Sequence, residues 1–255
     1  MTVCTIVLLL MLALVVTTTA GRFRAMGLYF PSGGYMYFDP MPAAVAAADA
    51  RTWSGWVKVD TAAGDQVVAF GYDENTDENC WTLKIQGANK VEFKFVRTIT
   101  TGRWTAGALV DGSLYHIAVT YDRSDIGNDP IIYIDGISAA VTEIGAPSGS
   151  LYDESDDTLY LSGDDALITI HDLRIYNRIL TPAEILEIYT ARGCDNILSG
   201  EVFAPLMTGA AGLQAFDGVT LATANTITDP YSGATGVPAG SPVGRGETYL
   251  SVCHH

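Results

Sequence analysis

Short apolar runs, each ended by glycine, proline, aspartate or asparagine, recur along the chain from Met26 to Tyr176. The strongest is Leu114–Tyr121, and short runs rich in β-branched and aromatic residues are typical of β-strands. Asp135-Gly136 separates two such runs and favours the two-residue turn whose twist matches a β-hairpin. The other predicted strands are Leu28–Phe30, Tyr35–Phe38, Thr52–Val59, Gln66–Phe70, Cys80–Ile85, Val91–Val96, Ile131–Ile134, Ile137–Val141, Thr158–Leu161 and Leu167–Tyr176. This pattern predicts an all-β fold.

One helix is predicted immediately after the last of these strands. Thr181 is a typical N-cap residue, Pro182 suits the first helical position, and Glu184 completes a capping box. Ile185, Ile188 and Tyr189 then share one face at helical spacing, and Gly193 is a helix stop. We expect a helix of about three turns that closes one end of a β-sandwich.

Residues 1–20 form an apolar leader without a single charged side chain. Its length matches the core of a signal peptide, and Ala20 with Thr18 offers a small-residue cleavage site. No lysine or arginine precedes the run, whereas Arg22 and Arg24 follow it, which is the reverse of an ordinary secretory signal. Three interpretations stay open: a signal peptide, a membrane anchor and an apolar assembly arm.

Charge and cysteine usage exclude several classes of protein. The chain has 14 Lys+Arg against 29 Asp+Glu, a net charge of −15, which argues against nucleic-acid binding. Its 48% hydrophobic content is enough for a packed core and argues against disorder. The four cysteines show no zinc-site spacing. A Cys194–Cys253 disulfide is one candidate pairing and would tie the C-terminal segment to the main domain.

Residues 194–255 differ in composition from the rest and are interpreted as a glycine-rich C-terminal extension. Residues 196–255 carry five charged side chains and nine glycines. Within them, Glu201–Met207 and Val219–Ala222 are predicted strands, whereas residues 228–243 are predicted to form a loop. A segment with so few charged side chains is expected to lie along the domain or on a neighbouring subunit.

Four ordered motifs resemble the laminin-G-like, concanavalin A-like jelly-roll family. They are Ser54–Lys58, Leu114–Asp122 with its "AVTYD" run, Ile132–Gly136 and His171–Ile185. The resemblance covers residues 27–192, within a predicted domain 21–193. It implies a two-sheet antiparallel jelly-roll β-sandwich with one short C-terminal capping helix. It also implies a non-catalytic module that binds glycans or proteins outside cells, as most members of the family do.

The same fold hosts glucanases, which need a Glu-x-Asp-x-(x)-Glu pattern so that two carboxylates share one face of a strand. Glu154-Ser155-Asp156 is the nearest match, but Thr158 and Leu159 stand where the third acid is required. The acidic loop around Glu154 is predicted to be solvated. His116 is predicted to be a hydrogen-bonded core histidine. The sequence therefore predicts a protein that is not an enzyme.

Calcium is the cofactor that this acidic chain predicts, because it binds oxygen ligands. Asp73, Asn75, Asp77 and Asn79 place oxygen side chains at alternate positions, although Glu78 occupies the place where an EF-hand loop needs glycine. The alternative is a polar hairpin loop. By resemblance to the family, Asp172 with Asp39 is a second candidate site on the convex side of the sandwich.

Sugar binding usually needs an exposed aromatic face. Trp81 and Trp104 flank predicted loops and are the candidate ligand-binding residues, whereas Trp56 is predicted to be core.

Three functions remain open at this stage. The first is an extracellular or surface module that recognises a glycan or a surface protein. The second is a structural subunit of a virion or cell-surface filament, which forms homo-oligomers through its termini. The third is a glycoside hydrolase. In each case contact with a membrane would come only through residues 1–20.

Overall fold

The computed structural model describes most of the region predicted to fold and several segments of the C-terminal extension. The described residues are 26–59, 64–74, 78–163, 167–191, 198–199, 201–203, 227–228, 235–239 and 243–246. The predictions for residues 1–20, for Val219–Ala222, for Gly193 and for a Cys194–Cys253 disulfide lie outside these residues.

The described residues form two antiparallel sheets packed as a sandwich, which confirms the predicted fold class. The strands are β1 Met26–Phe30, β2 Tyr35–Phe38, β3 Ala50–Val59, β4 Gln66–Asp73, β5 Glu78–Ile85, β6 Val91–Phe95, β7 Gly102–Ala106, β8 Leu114–Asp122, β9 Ile131–Ile134, β10 Ile137–Ser138, β11 Val141–Gly145, β12 Thr158–Leu161, β13 Ile168–Tyr176, β14 Glu201–Phe203, β15 Ile227–Thr228, β16 Thr235–Ala239 and β17 Val243–Gly246. The helices are α1 Ala43–Ala46 and α2 Pro182–Ala191.

The eight-stranded sheet has the order β10-β9-β8-β3-β13-β1-β17, and β14 also pairs with β13. The nine-stranded sheet has the order β11-β7-β6-β5-β4-β12-β2-β16-β15. Both sheets interleave strands from distant parts of the chain, as a jelly roll requires. Among the described residues, no helix has the length and apolar character needed to cross a bilayer.

Aromatic side chains fill the space between the sheets. Trp53 on β3 lies 5.2 Å from Trp81 on β5 and 5.0 Å from Phe93 on β6, measured between ring centroids. Trp104 on β7 extends this group towards Tyr121 on β8, with centroids 5.5 Å apart. Large rings from both sheets bury much apolar area, so they supply a major part of the driving force for closing the sandwich.

Two local predictions are confirmed in detail. Asp135 and Gly136 have φ angles of 52° and 78°, the positive values that the twist-matched hairpin turn needs at both central positions. At the start of α2, Glu184 accepts from the Thr181 backbone N–H at 2.8 Å, and Thr181 Oγ1 accepts from the Glu184 N–H at 3.3 Å. Ile185 and Ile188 are buried as expected.

The C-terminal extension contributes strands to both sheets. β14 pairs with β13, β17 pairs with β1, and β16 pairs with β2. This confirms, for these strands, that the extension lies along the domain. The prediction of a loop over residues 228–243 is wrong at β16. This segment contains glycine and proline and has little strand propensity of its own, but it forms a strand because β2 supplies its hydrogen-bond partners.

His116 occupies the predicted core position and gives the fold a testable pH dependence. It is fully buried, and its Nε2 lies 2.9 Å from Ser54 Oγ on β3. Burial, aided by the charge of Arg174, lowers the pKa of His116 to about 3, from an ordinary value of 6.5. Below pH 6.5 the unfolded chain therefore binds a proton that the folded protein accepts only near pH 3.

Stability conferred by neutral His116 is complete above pH 6.5 and is lost as the pH falls towards 3. We expect His116→Gln to remove this contribution, so that the difference in unfolding free energy between the two proteins changes by about 1.4 kcal/mol per pH unit between these limits. Urea unfolding of both proteins at a series of pH values measures this difference in unfolding free energy. Parallel pH profiles for the two proteins would contradict the assignment.

Candidate functional site

Strands β2, β12 and β4 present aromatic side chains on the outward face of the nine-stranded sheet. Strand alternation sends Met36, Phe38, Leu159 and Leu161 into the core, so that their neighbours point outwards. The outward residues are Tyr35, Tyr37, Phe70, Tyr72 and Tyr160, and all five are half-buried. We call these five residues the aromatic cluster.

Tyr160 is the centre of the aromatic cluster. Its ring stacks on Phe70 with centroids 4.8 Å apart and an interplanar angle of 8°. Tyr35, Tyr37 and Tyr72 lie 5.7, 5.9 and 6.0 Å from it. Four members line a cleft of about 320 Å³. Burial raises the pKa of Tyr160, and a tyrosine hydroxyl can donate or accept a hydrogen bond.

Polar residues continue the same outward face across β5, β6 and β7. The register pairs Phe70 with Thr82, Thr82 with Lys94, and Lys94 with Arg103. These three polar residues line a second cleft of about 310 Å³, together with Glu78, Asn79, Val96 and Thr101. We call this cleft the polar groove. A single cross-strand row therefore leads from aromatic rings to two cations.

A buried acid, Glu92, pairs with the cations beside the polar groove. Glu92 on β6 is fully buried and lies 2.9 Å from Arg103, 3.2 Å from Lys84 and 3.6 Å from Lys94. Burial, followed by the charge of Lys84, lowers the pKa of Lys94, and Arg103 adds to this effect. Lys94 thus lies in a neighbourhood where positive charge is only partly neutralised.

The structure does not bring Asp172 and Asp39 together as a calcium site. Asp172 on β13 is buried, and both its carboxylate oxygens accept hydrogen bonds from Arg174, at 2.9 and 2.8 Å. Asp39 is exposed and follows β2 in the other sheet. The prediction is corrected for a physical reason: the guanidinium already neutralises Asp172 and occupies its oxygens.

The second predicted calcium site is only partly described. Asn75 and Asp77 lie outside the described residues. Asp73 ends β4 and lines a cleft of about 250 Å³ with Tyr152, Asp153, Ser155, Asp156 and Asp157. Cys80 Sγ lies 2.7 Å from Asp157 Oδ2 and donates to it. Among the described residues, no group of three or more acidic, histidine or cysteine side chains is arranged to hold a metal ion.

Trp81 and Trp104 are not ligand platforms. Both are 0% exposed. Trp81 packs on Trp53 in the core, and Trp104 lies on β7, a strand that the sequence did not predict, with its Nε1 donating to Asp129 at 2.8 Å. Their positions beside loops suggested exposure, but alternation directs both rings between the sheets. Trp56 is buried as predicted.

The acidic loop also differs from its prediction. Glu154 is 3% exposed rather than solvated, and it lies 2.6 Å from Arg51 and 2.5 Å from Arg123. Asp156 is exposed. The two acids that most resemble a glucanase pair therefore lie in opposite environments, one neutralised by two arginines and one in solvent. Their arrangement offers no acid–base pair.

The aromatic cluster was not identified from the sequence. Its one local signal is the alternation Tyr35-x-Tyr37, in which two aromatic residues share a face of one strand. Phe70 and Tyr160 are far away in sequence and join the cluster only because β12 pairs with both β2 and β4.

A sequence profile described as the concanavalin A-like lectin/glucanases superfamily matches residues 31–186. No curated protein matches the chain in sequence. Among solved structures, the heptameric SAP-like pentraxin from Limulus polyphemus is similar with a TM-score of 0.61 and 10% identity, over 90% of this chain and 98% of that one.

Two further solved structures are more distant. The botulinum neurotoxin serotype D binding domain has a TM-score of 0.48 and 14% identity, over 64% of this chain and 42% of that one. Trypanosoma rangeli sialidase has a TM-score of 0.43 and 18% identity, over 56% of this chain and 23% of that one. The chain spans less than half the length of either protein, and the similarity concerns the fold.

Proposed function

Because the chain belongs to the concanavalin A-like lectin/glucanases superfamily, we propose that it is a non-enzymatic module that recognises glycans. The binding surface in this proposal is the outward face of the nine-stranded sheet, at the aromatic cluster. The observation that carries it is the group of five half-buried aromatic rings around Tyr160, which share one face of three adjacent strands.

The chemistry of the aromatic cluster suits a sugar. Pyranose rings present C–H groups that pack on aromatic faces and hydroxyls that need hydrogen-bond partners. Four of the five residues are tyrosines, which combine an apolar ring with a polar tip. The cleft of about 320 Å³ beside Tyr160 lies at the lower end of the range for small-ligand sites.

Two acids of the described residues, Glu154 and Asp172, support a binding role rather than hydrolysis. Glycosidases place two carboxyl groups across a scissile bond at a defined separation. Glu154 is instead engaged by two arginines, and Asp172 is engaged by a third. Neither has a free oxygen pair to act as nucleophile or proton donor.

The extension favours a recognition module over a subunit that assembles through its tail. β14, β16 and β17 pair with strands of their own chain, so the edge that each of them turns to β13, β2 or β1 is used within the chain. We place the protein outside the cell or on a surface, as a glycan-binding role implies. Antibody labelling of intact, unpermeabilised cells checks this location.

The test is glycan binding by the full chain. The probes are neutral oligosaccharides of cellulose, xylan, galactan and chitin, presented on an array and followed by calorimetry for those that bind. We expect Tyr160→Ala to weaken binding about tenfold or more, because it removes the ring that contacts the other four. Tyr160→Phe retains the ring and should retain most of the affinity.

Tyr152→Ala is the matched control, since this half-buried tyrosine lines the acidic cleft away from the aromatic cluster. Thermal melts of all variants show that they are folded. The proposal fails if the parent protein binds none of these oligosaccharides, or if Tyr160→Ala binds them as tightly as the parent does.

A further inference from the structure

The polar groove is an extension of the aromatic cluster, not a separate feature. Adjacent strands lie about 4.8 Å apart, so Lys94 is about 10 Å and Arg103 about 14 Å from Phe70 along the cross-strand row. A ligand that spans two or three sugar units along this row would reach from stacked rings to charged groups.

The cations of the groove are not fully neutralised by acids of the protein. Lys84, Lys94 and Arg103 surround the single carboxylate of Glu92, and Asp65 additionally pairs with Lys84 at 2.5 Å. These five groups leave one positive charge in excess, and the exposed Glu78 also lines the groove. Lys94 is the least tightly held of the three, at 3.6 Å from Glu92.

Other groups in the groove decide what kind of anion fits. Glu78 is exposed at one end and opposes a second negative charge there. Thr82, Thr101 and Asn79 offer hydroxyl and amide groups for neutral hydroxyls of a ligand. The net charge of −15 disfavours densely charged polyanions such as nucleic acids or heavily sulfated chains.

We propose that the polar groove selects glycans carrying sparse carboxylates, such as uronic or sialic acid residues, with Lys94 and Arg103 as the carboxylate-binding groups. This inference rests on the proposed function, because the sugar is held in place by the aromatic cluster. A carboxylate beside Lys94 balances the excess charge and forms charge-assisted hydrogen bonds with both cations. Neutral sugars bind the aromatic cluster without this contribution.

The experiment compares each acidic sugar with its own carboxyl-reduced form. The probes are glucuronoxylan oligosaccharides, hyaluronan oligosaccharides and sialyllactose, and calorimetry on the full chain gives both affinities. We expect at least one acidic form to bind about tenfold more tightly than its reduced form, a difference of about 1.4 kcal/mol. Lys94→Gln should abolish that preference while leaving the affinity for the reduced sugar unchanged.

Lys90→Gln is the control, because Lys90 is exposed in the β5–β6 turn and contacts neither cleft. Lys94→Gln leaves Glu92 paired with Lys84 and Arg103, so the variant keeps its buried acid neutralised. Equal affinity for acidic and reduced sugars would overturn this inference and leave the proposed function standing. A preference for the acidic form that survives in Lys94→Gln would overturn it as well.

Discussion

Replacing Glu154 by glutamine is expected to destabilise the sandwich by about 3–5 kcal/mol, the usual cost of removing one partner from a buried ion pair. The carboxylate is held by Arg51 and Arg123, and all three side chains are at most 8% exposed. Burial lowers the pKa of Arg51, and Glu154 opposes that effect. Without the carboxylate, two guanidinium groups remain close together with little compensating charge.

The same arginines also fix the end of α1. Arg51 and Arg123 both donate to the carbonyl oxygen of Ala46, at 2.9 and 3.0 Å. Losing Glu154 therefore disturbs β3, the loop after β8 and the α1 turn together. Asp156→Asn is the matched control, because Asp156 is an exposed acid of the same loop, and it should change stability by less than about 0.5 kcal/mol.

Urea unfolding of both variants measures the difference, and similar stabilities would contradict a structural role for Glu154. The result also separates this role from a catalytic one. A general acid or nucleophile could be replaced by its amide with little loss of folding, whereas the sugar-cleaving activity would disappear. Glu154→Gln should instead lower the unfolding free energy, and the parent protein should release no reducing sugar.

Asp172→Asn is the second substitution with a large expected effect, a loss of about 3 kcal/mol in unfolding free energy. Burial alone would lower the pKa of Arg174, but the facing Asp172 carboxylate outweighs this and raises it. Its other close acid, Glu201, is 3.4 Å away. Asparagine also suits the φ of 46° at this position, so the substitution tests the charge and not the backbone.

Asp39→Asn is the control for Asp172→Asn, and it distinguishes the ion pair from the predicted calcium site. If the two acids held calcium, both substitutions would lower stability only when calcium is present. We expect Asp172→Asn to lose the same unfolding free energy with calcium and with a chelator. Asp39→Asn should have the same unfolding free energy as the parent under both conditions. Urea unfolding with each additive measures this, and a calcium-dependent loss in both variants would restore the metal hypothesis.

The parts of the fold that the sequence predicts well are those with local causes. Asp135-Gly136 adopts its turn because both residues tolerate positive φ, and Thr181 with Glu184 caps α2 through groups only three positions apart. Strand β7 was not predicted, since its segment Gly102–Ala106 begins with glycine and follows a threonine-rich loop. Its place in the sheet comes from pairing with β6 and β11.

The candidate site could not be predicted because it depends on long-range pairing. Tyr160 meets Tyr37 and Phe70 only through the order of β4, β12 and β2. Trp81 and Trp104 carried the stronger local signal for sugar binding, but strand alternation turned both inwards. Glu154 stands in a run of acids that suggests solvent, and only the fold brings Arg51 and Arg123 to it.

The pairing of β1 and β2 has a consequence for synthesis on the ribosome. β1 lies between β13 and β17, and β2 lies between β12 and β16. β1 and β2 are made before the strands that pair with them, and the residues between are added at about 5–20 per second. Leu28 and Tyr37 therefore wait several seconds for their partners, and β16 and β17 complete the pairing of β2 and β1.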